Sequence, residues 1–193
     1  FSANRTLTVD TTIPALLYST IGTPDNATAA DRSWILVNVT ATDINNVSSK
    51  LVFSLYYVNA TGLVNQTQYS YPADGVQTIN WTSLAEGTYV FNVTANDSAT
   101  NSNSTSSRTF YIDRTNPSAT ATCTAPVYEG DSFPCTCSGT DSLTSTTTSA
   151  SSTSGSTTAI TVVGTYTYTC TATDAAGNSA TDTETYTVLN VGG

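Results

Sequence analysis

Apolar and polar residues alternate with a period of two in several stretches of this chain, the spacing that sends successive side chains to opposite faces of a β-strand. Between 87 and 97, Tyr89, Phe91, Val93 and Ala95 share one face and Asn92 points the other way. Between 164 and 174, Tyr166, Tyr168, Cys170 and Ala172 repeat that arrangement. Two earlier segments match as well. Ile35, Val37, Val39 and Ala41 lead to Asp43 with Asn38 outward, and Phe133, Cys135, Cys137 and Gly139 lead to Asp141. The most apolar stretch, 51–58, is strand-sized and falls well short of the ~18 residues of a membrane-spanning helix. Helical periodicity is absent, and Gly, Pro, Asn and Asp punctuate the segments. The pattern predicts an all-β chain of antiparallel sandwiches.

These segments are copies. Gly87–Asp97 aligns without gaps on Gly164–Asp174, with six of eleven positions identical. Repetition of this kind predicts two sandwiches in tandem, over 11–114 and 115–191. The first ten residues carry a further clue. Arg5–Pro14 aligns on Arg108–Pro117, which joins the last strand of the first sandwich to its linker. Residues 1–10 are therefore expected to be an orphan strand. It belongs either to a preceding repeat of a longer array or to a neighbouring subunit that it enters by strand addition.

Composition narrows the function. The 193 residues include 5 Lys+Arg against 14 Asp+Glu, a net charge of -9, so the clustered cations that bind phosphate backbones or anionic membranes are missing. With no histidine, Ser-His-Asp and Cys-His catalysis are excluded, and Lys50 is the sole lysine. No Gly-rich phosphate loop is present, and the acids are scattered rather than paired. An enzyme is not expected.

Ten N-glycosylation sequons crowd the chain up to residue 103 and then stop: Asn4, Asn26, Asn38, Asn46, Asn59, Asn65, Asn80, Asn92, Asn96 and Asn103. Only Asn45 and Asn101 in that stretch lie outside one. Chance would place about three asparagines in sequons, so N-linked glycans on a secreted chain are the expectation, against accidental sequons in an Asn/Thr-rich protein. The four cysteines all lie in the second repeat. Disulfides are the default for an even number in a secreted chain, and zinc is the weaker rival because Cys135-Thr136-Cys137 is not a CxxC bite. Residues 142–159 are almost wholly Ser, Thr, Ala and Gly. They read as middle strands burying little apolar area, or as a patch for O-linked sugars. The first repeat is instead expected to have a sufficient core without disulfides, from Trp34, Trp81, Leu51, Phe53, Leu55 and Phe91.

The tail Gly164-Thr165-Tyr166 through Ala172-Thr173-Asp174-Ala175-Ala176-Gly177-Asn178-Ser179 resembles the penultimate strand of bacterial immunoglobulin-like and hyalin-type repeats. Trp34 to Asp43, followed by the sequon-rich body, is similar to archaeal surface glycoproteins. Gly130–Gly139 resembles the second strand of immunoglobulin domains, with Cys137 at the inter-sheet position. The resemblance implies two tandem immunoglobulin-like sandwiches at the cell surface. It implies Cys137–Cys170 between the sheets, leaving Cys123–Cys135 between the first two strands. It also brings Asp43 and Asp97, and Asp141 and Asp174, to the pole that the linker acids Asp10 and Asp113 reach, a ligand set for structural calcium. The other reading of those acids is that each caps its own turn. The expected partners are other copies of the chain or neighbouring repeats, in an adhesin or surface-layer stalk or a filament. Carbohydrate or receptor recognition is the alternative, on Tyr56, Tyr57, Tyr69 and Tyr71.

Overall fold

The computed structural model describes residues 9–43, 49–58, 63–71 and 75–192. Every regular element among them is a strand. The chain divides into two compact units, one of residues up to 28 and 32–112, the other of 29–31 and 113 onward. The strand expected over 1–10 lies outside the described residues except for Val9 and Asp10.

Among the described residues, nine strands form the first sandwich: β1 Ala15–Tyr18, β2 Thr28–Ala30, β3 Ile35–Thr42, β4 Ser49–Tyr57, β5 Leu63–Tyr71, β6 Gly75–Trp81, β7 Gly87–Asn96, β8 Ser102–Ser104 and β9 Arg108–Ile112. One sheet has the order β1-β3-β6, the other β2-β9-β7-β4-β5, with β8 beside β7. Alternation is realised as burial. Ile35, Val37 and Val39 on β3, Leu51, Phe53 and Leu55 on β4, and Phe91 and Val93 on β7 are all fully buried. Each such side chain contributes about 1.5–3 kcal/mol on leaving water. Phe91 joins the sheets, edge-on to Tyr18 at 5.8 Å and tilted against Trp81 at 6.5 Å. Trp34, expected in this core, is not there. It sits one residue ahead of β3 at 37% exposure, under the Arg32 guanidinium at 4.0 Å.

Six strands among the described residues form the second sandwich: β10 Ser118–Cys123, β11 Val127–Tyr128, β12 Cys135–Thr140, β13 Thr146–Ser152, β14 Gly164–Asp174 and β15 Ser179–Leu189. A two-stranded sheet, β10-β12, faces a four-stranded one, β11-β15-β14-β13. The small sheet shields little. Of the four inward positions expected on the second strand, only Cys135 is buried, while Phe133, Cys137 and Gly139 stay half-buried. At Gly139 a Cβ would meet the Ala172 Cβ at 2.6 Å, so the sheets close on a hydrogen. The core is correspondingly thin: Ala121, Val127, Cys135, Ile160, Tyr168, Cys170, Tyr186 and Val188. Two disulfides reinforce it. Cys137–Cys170 ties β12 to β14 across the sandwich, and Cys123–Cys135 joins cross-strand partners within the small sheet.

Both units also share a corner. Tyr89 at the start of β7 donates its hydroxyl to the Ala85 carbonyl at 2.9 Å, and Tyr166 near the start of β14 donates to Val162 at 3.1 Å. In each case the acceptor lies four residues back, so the hydroxyl ties the start of the strand to the turn that leads into it.

Candidate functional site: two aspartate clusters

Each sandwich gathers three carboxylates. Asp10, Asp43 and Asp97 place one oxygen each within 4.8 Å of one another, and Asp113, Asp141 and Asp174 do the same. The residues come from equivalent places. Asp43 follows β3 and Asp97 follows β7; Asp141 follows β12 and Asp174 ends β14. Asp10 and Asp113 each precede a proline by four residues, and both Pro14 and Pro117 are buried. The six acids singled out in the sequence thus fall into two sets of three.

A second repeated motif holds the clusters together, and the sequence reading did not isolate it. Asn101 donates its main-chain N–H to Asp97 Oδ1 at 2.8 Å and its Nδ2 to Asp97 Oδ2 at 2.7 Å, with a further bond from Nδ2 to the Asp10 carbonyl at 3.2 Å. Asn178 does the same in the second unit: 2.8 Å to Asp174 Oδ1, 2.8 Å to Oδ2, and 3.0 Å from Nδ2 to the Asp113 carbonyl. The turns between agree too. Thr100 and Gly177 take positive φ values of 75° and 95° at the same place, where glycine is the unstrained choice. Asn101, one of two asparagines outside a sequon in its repeat, spends its amide on this tie. Asn178 is buried with both its amide protons bonded to the cluster, so Asn178→Ala is expected to destabilise the second unit by about 1–3 kcal/mol, read as a lower midpoint in denaturant.

The electrostatics of the second cluster are those of crowded anions. Burial raises the Asp113 carboxyl above its ordinary range, and the Asp141 and Asp174 carboxylates push it the same way. Hydrogen bonds from the Thr144 hydroxyl at 2.7 Å and the Thr115 N–H at 3.3 Å pull it back. Turn capping is also present: Asp141 Oδ1 accepts N–H bonds from Leu143 and Thr144, and Asp174 Oδ1 accepts from Ala176. Capping engages some lone pairs of each carboxylate and leaves others. Hard oxygens that ligate one calcium at 2.3–2.6 Å lie no more than about 5 Å apart, and both clusters meet that spacing.

Of the sequon asparagines, Asn4, Asn46 and Asn59 lie outside the described residues, and none of the other seven is buried. They differ in how the amide is held. Asn38 donates Nδ2 to Ile21 at 2.7 Å and Asn103 to Pro14 at 2.8 Å. Asn65 is held by its oxygen instead, which accepts from Trp81 Nε1 at 3.1 Å and from the Thr67 hydroxyl at 3.0 Å.

No family model matches the chain, and no curated protein matches it. Solved structures that align with it include the fibronectin(III)-like modules of CbhA from Clostridium thermocellum. These are 17% identical, with a TM-score of 0.40, covering 91% of this chain and 95% of that one. Dimeric latent PorU from Porphyromonas gingivalis is 14% identical, with a TM-score of 0.36, covering 94% of this chain and 20% of that one. The all-β sandwich class stands on the strands and their pairing.

Proposed function

We propose that this chain is a structural module of an extracellular surface assembly, a glycosylated stalk or filament in which calcium stiffens each sandwich where the chain enters it. The observation that carries the reading is the recurrence of the aspartate cluster in both units, with its asparagine tie repeated bond for bond. Asp10 and Asp113 are the first residues beyond a last-strand sequence, so a calcium at each cluster would pin the linker to the sandwich that follows. The two disulfides fit an oxidising compartment. Among the described residues no helix is long and apolar enough to cross a membrane.

Two routes lead to an assembly, and the strand pairing bears on them. In each unit the last-strand position is already filled, by β9 against β7 and by β15 against β14. A strand donated by residues 1–9 of another copy would find no such vacancy here and would have to add at an open edge. In a stalk, the same residues would close the preceding repeat. We therefore favour the stalk. Removing residues 1–9, which keeps Asp10 in its cluster, is expected to leave the oligomeric state unchanged in sedimentation velocity. Conversion of a polymer into monomers by that deletion would establish the donated strand instead.

Recognition of a carbohydrate or receptor gains less support. Tyr57 packs on Tyr89 at 5.0 Å and spends its hydroxyl on the Glu86 carbonyl, while its neighbour Tyr56 is the more exposed of the two. In the second unit, a cleft beside Tyr166 and Tyr186 has both hydroxyls engaged internally, with Val162 and with Ser152 and Ser154.

A further inference from the structure

We propose that N-linked glycans on Asn65 and Asn80 close the open seam of the first sandwich, covering the facing edges of β5 and β6 against pairing with other chains. The inference rests on the glycosylated-surface reading and gives two of the sequons a specific task. Strand order defines the seam: among the described residues β5 ends one sheet and β6 ends the other. Between them runs a groove of about 540 Å³ whose lining includes Val64, Asn65, Ile79, Asn80, Trp81 and Leu84.

Both edges are hazardous by the ordinary rules. They are nine and seven residues long, and neither LVNQTQYSY nor GVQTINW contains a charge or a proline. Leu63, Val64 and Val76 are exposed along them. Proteins usually blunt such edges with lysine, proline or a short strand, and an uncharged β-prone segment left open is a template for aggregation. What these edges carry instead is one sequon each.

The amide geometry suits attachment at Asn65. Trp81 and Thr67 hold the side chain by its oxygen, which leaves the nitrogen to the sugar. In the transfer, Nδ2 displaces phosphate from the anomeric carbon of a lipid-phosphate-linked oligosaccharide. A C–N bond forms, the C–O bond to phosphate breaks, and one Nδ2 proton leaves with the phosphate side. The remaining N–H and the oxygen persist, so the Trp81 bond survives glycosylation. A branched, hydrated chain rooted on each lip of the groove then excludes an incoming strand by bulk.

The test uses the full chain secreted from a glycosylating host. Thr67→Ala with Thr82→Ala deletes both seam sequons and keeps the Asn65–Trp81 bond. Asn92→Gln deletes a sequon on β7, which has strands on both sides. Trimming the folded parent with an endoglycosidase, which leaves one sugar on each asparagine, shortens the chains at every site together without a substitution. Peptide mapping reads occupancy, sedimentation velocity reads association, and amide exchange locates it. The expected result is sugar on Asn65 and Asn80 in the parent and loss of its sedimentation species to larger ones in the double variant. New exchange protection should appear on β5 and β6, and Asn92→Gln should behave as the parent. Bare Asn65 and Asn80 in the parent would overturn the glycan reading itself. Occupied sites with a double variant that behaves as the parent would overturn the seam role alone. Equal association of Asn92→Gln would reduce the effect to general solubility and overturn the proposal equally.

Discussion

Reducing the disulfides is expected to unfold the second sandwich while the first remains folded. Cys137 and Cys170 are 33 residues apart, and closing a loop of that size in the unfolded chain is worth about 3–4 kcal/mol in the chain-entropy model. Against a total stability of about 5–15 kcal/mol for a typical domain, that is a large share. The second unit has little to replace it. Its buried core has two tyrosines and no phenylalanine or leucine, and β13 leaves five consecutive residues exposed. The first unit holds Phe53, Phe91, Phe110, Leu51 and Leu55 fully or almost fully buried and contains no cysteine. Thermal unfolding of the oxidised protein should therefore lose its disulfide-dependent transition on adding reductant, with the tryptophan signal of the first unit unmoved. Coincident loss of both transitions would mean that the units do not fold independently.

Asp141→Asn is expected to have opposite signs with and without calcium. The Asp141 Oδ1 accepts two turn N–H bonds that an asparagine oxygen can accept equally, so the substitution removes charge and leaves the cap. In chelator it relieves repulsion with Asp113 and Asp174, and the second unit should hold or gain in melting temperature. In calcium it removes a carboxylate ligand. An ion present at about 100 times its dissociation constant adds about 2.7 kcal/mol, or about 10 °C or more for a unit of this size, and the variant should lose most of that gain. The first unit, whose own cluster is intact, serves as the internal control. If the aspartates act only as turn caps, the difference between parent and variant will be the same with calcium as in chelator.

Much of this architecture could be read from the chain before any coordinates. β3, β7 and β14 are long and strictly alternating, so their inward residues were legible one by one. The short strands β2, β8 and β11 have two or three residues each, too few to show a period. Trp34 misled because a large aromatic next to an alternating run looks like core, whereas the alternation begins at Ile35 and sends Trp34 to the rim under Arg32. The aspartate clusters were legible because the acids close repeated strands. Asn101 and Asn178 were not, although carrying the repeat alignment four residues past Asp97 and Asp174 would have exposed an Asp-x-x-x-Asn motif in both copies. Thr144 had no such signal, being one hydroxyl among many in the Ser/Thr tract.

The central claim, that each sandwich holds a calcium ion at its aspartate cluster, is tested most directly by equilibrium dialysis of the intact chain against calcium at near-neutral pH. The account predicts two ions bound per chain, one for each cluster, falling to one in Asp141→Asn. No bound calcium at millimolar free ion, or a stoichiometry indifferent to that substitution, would contradict it.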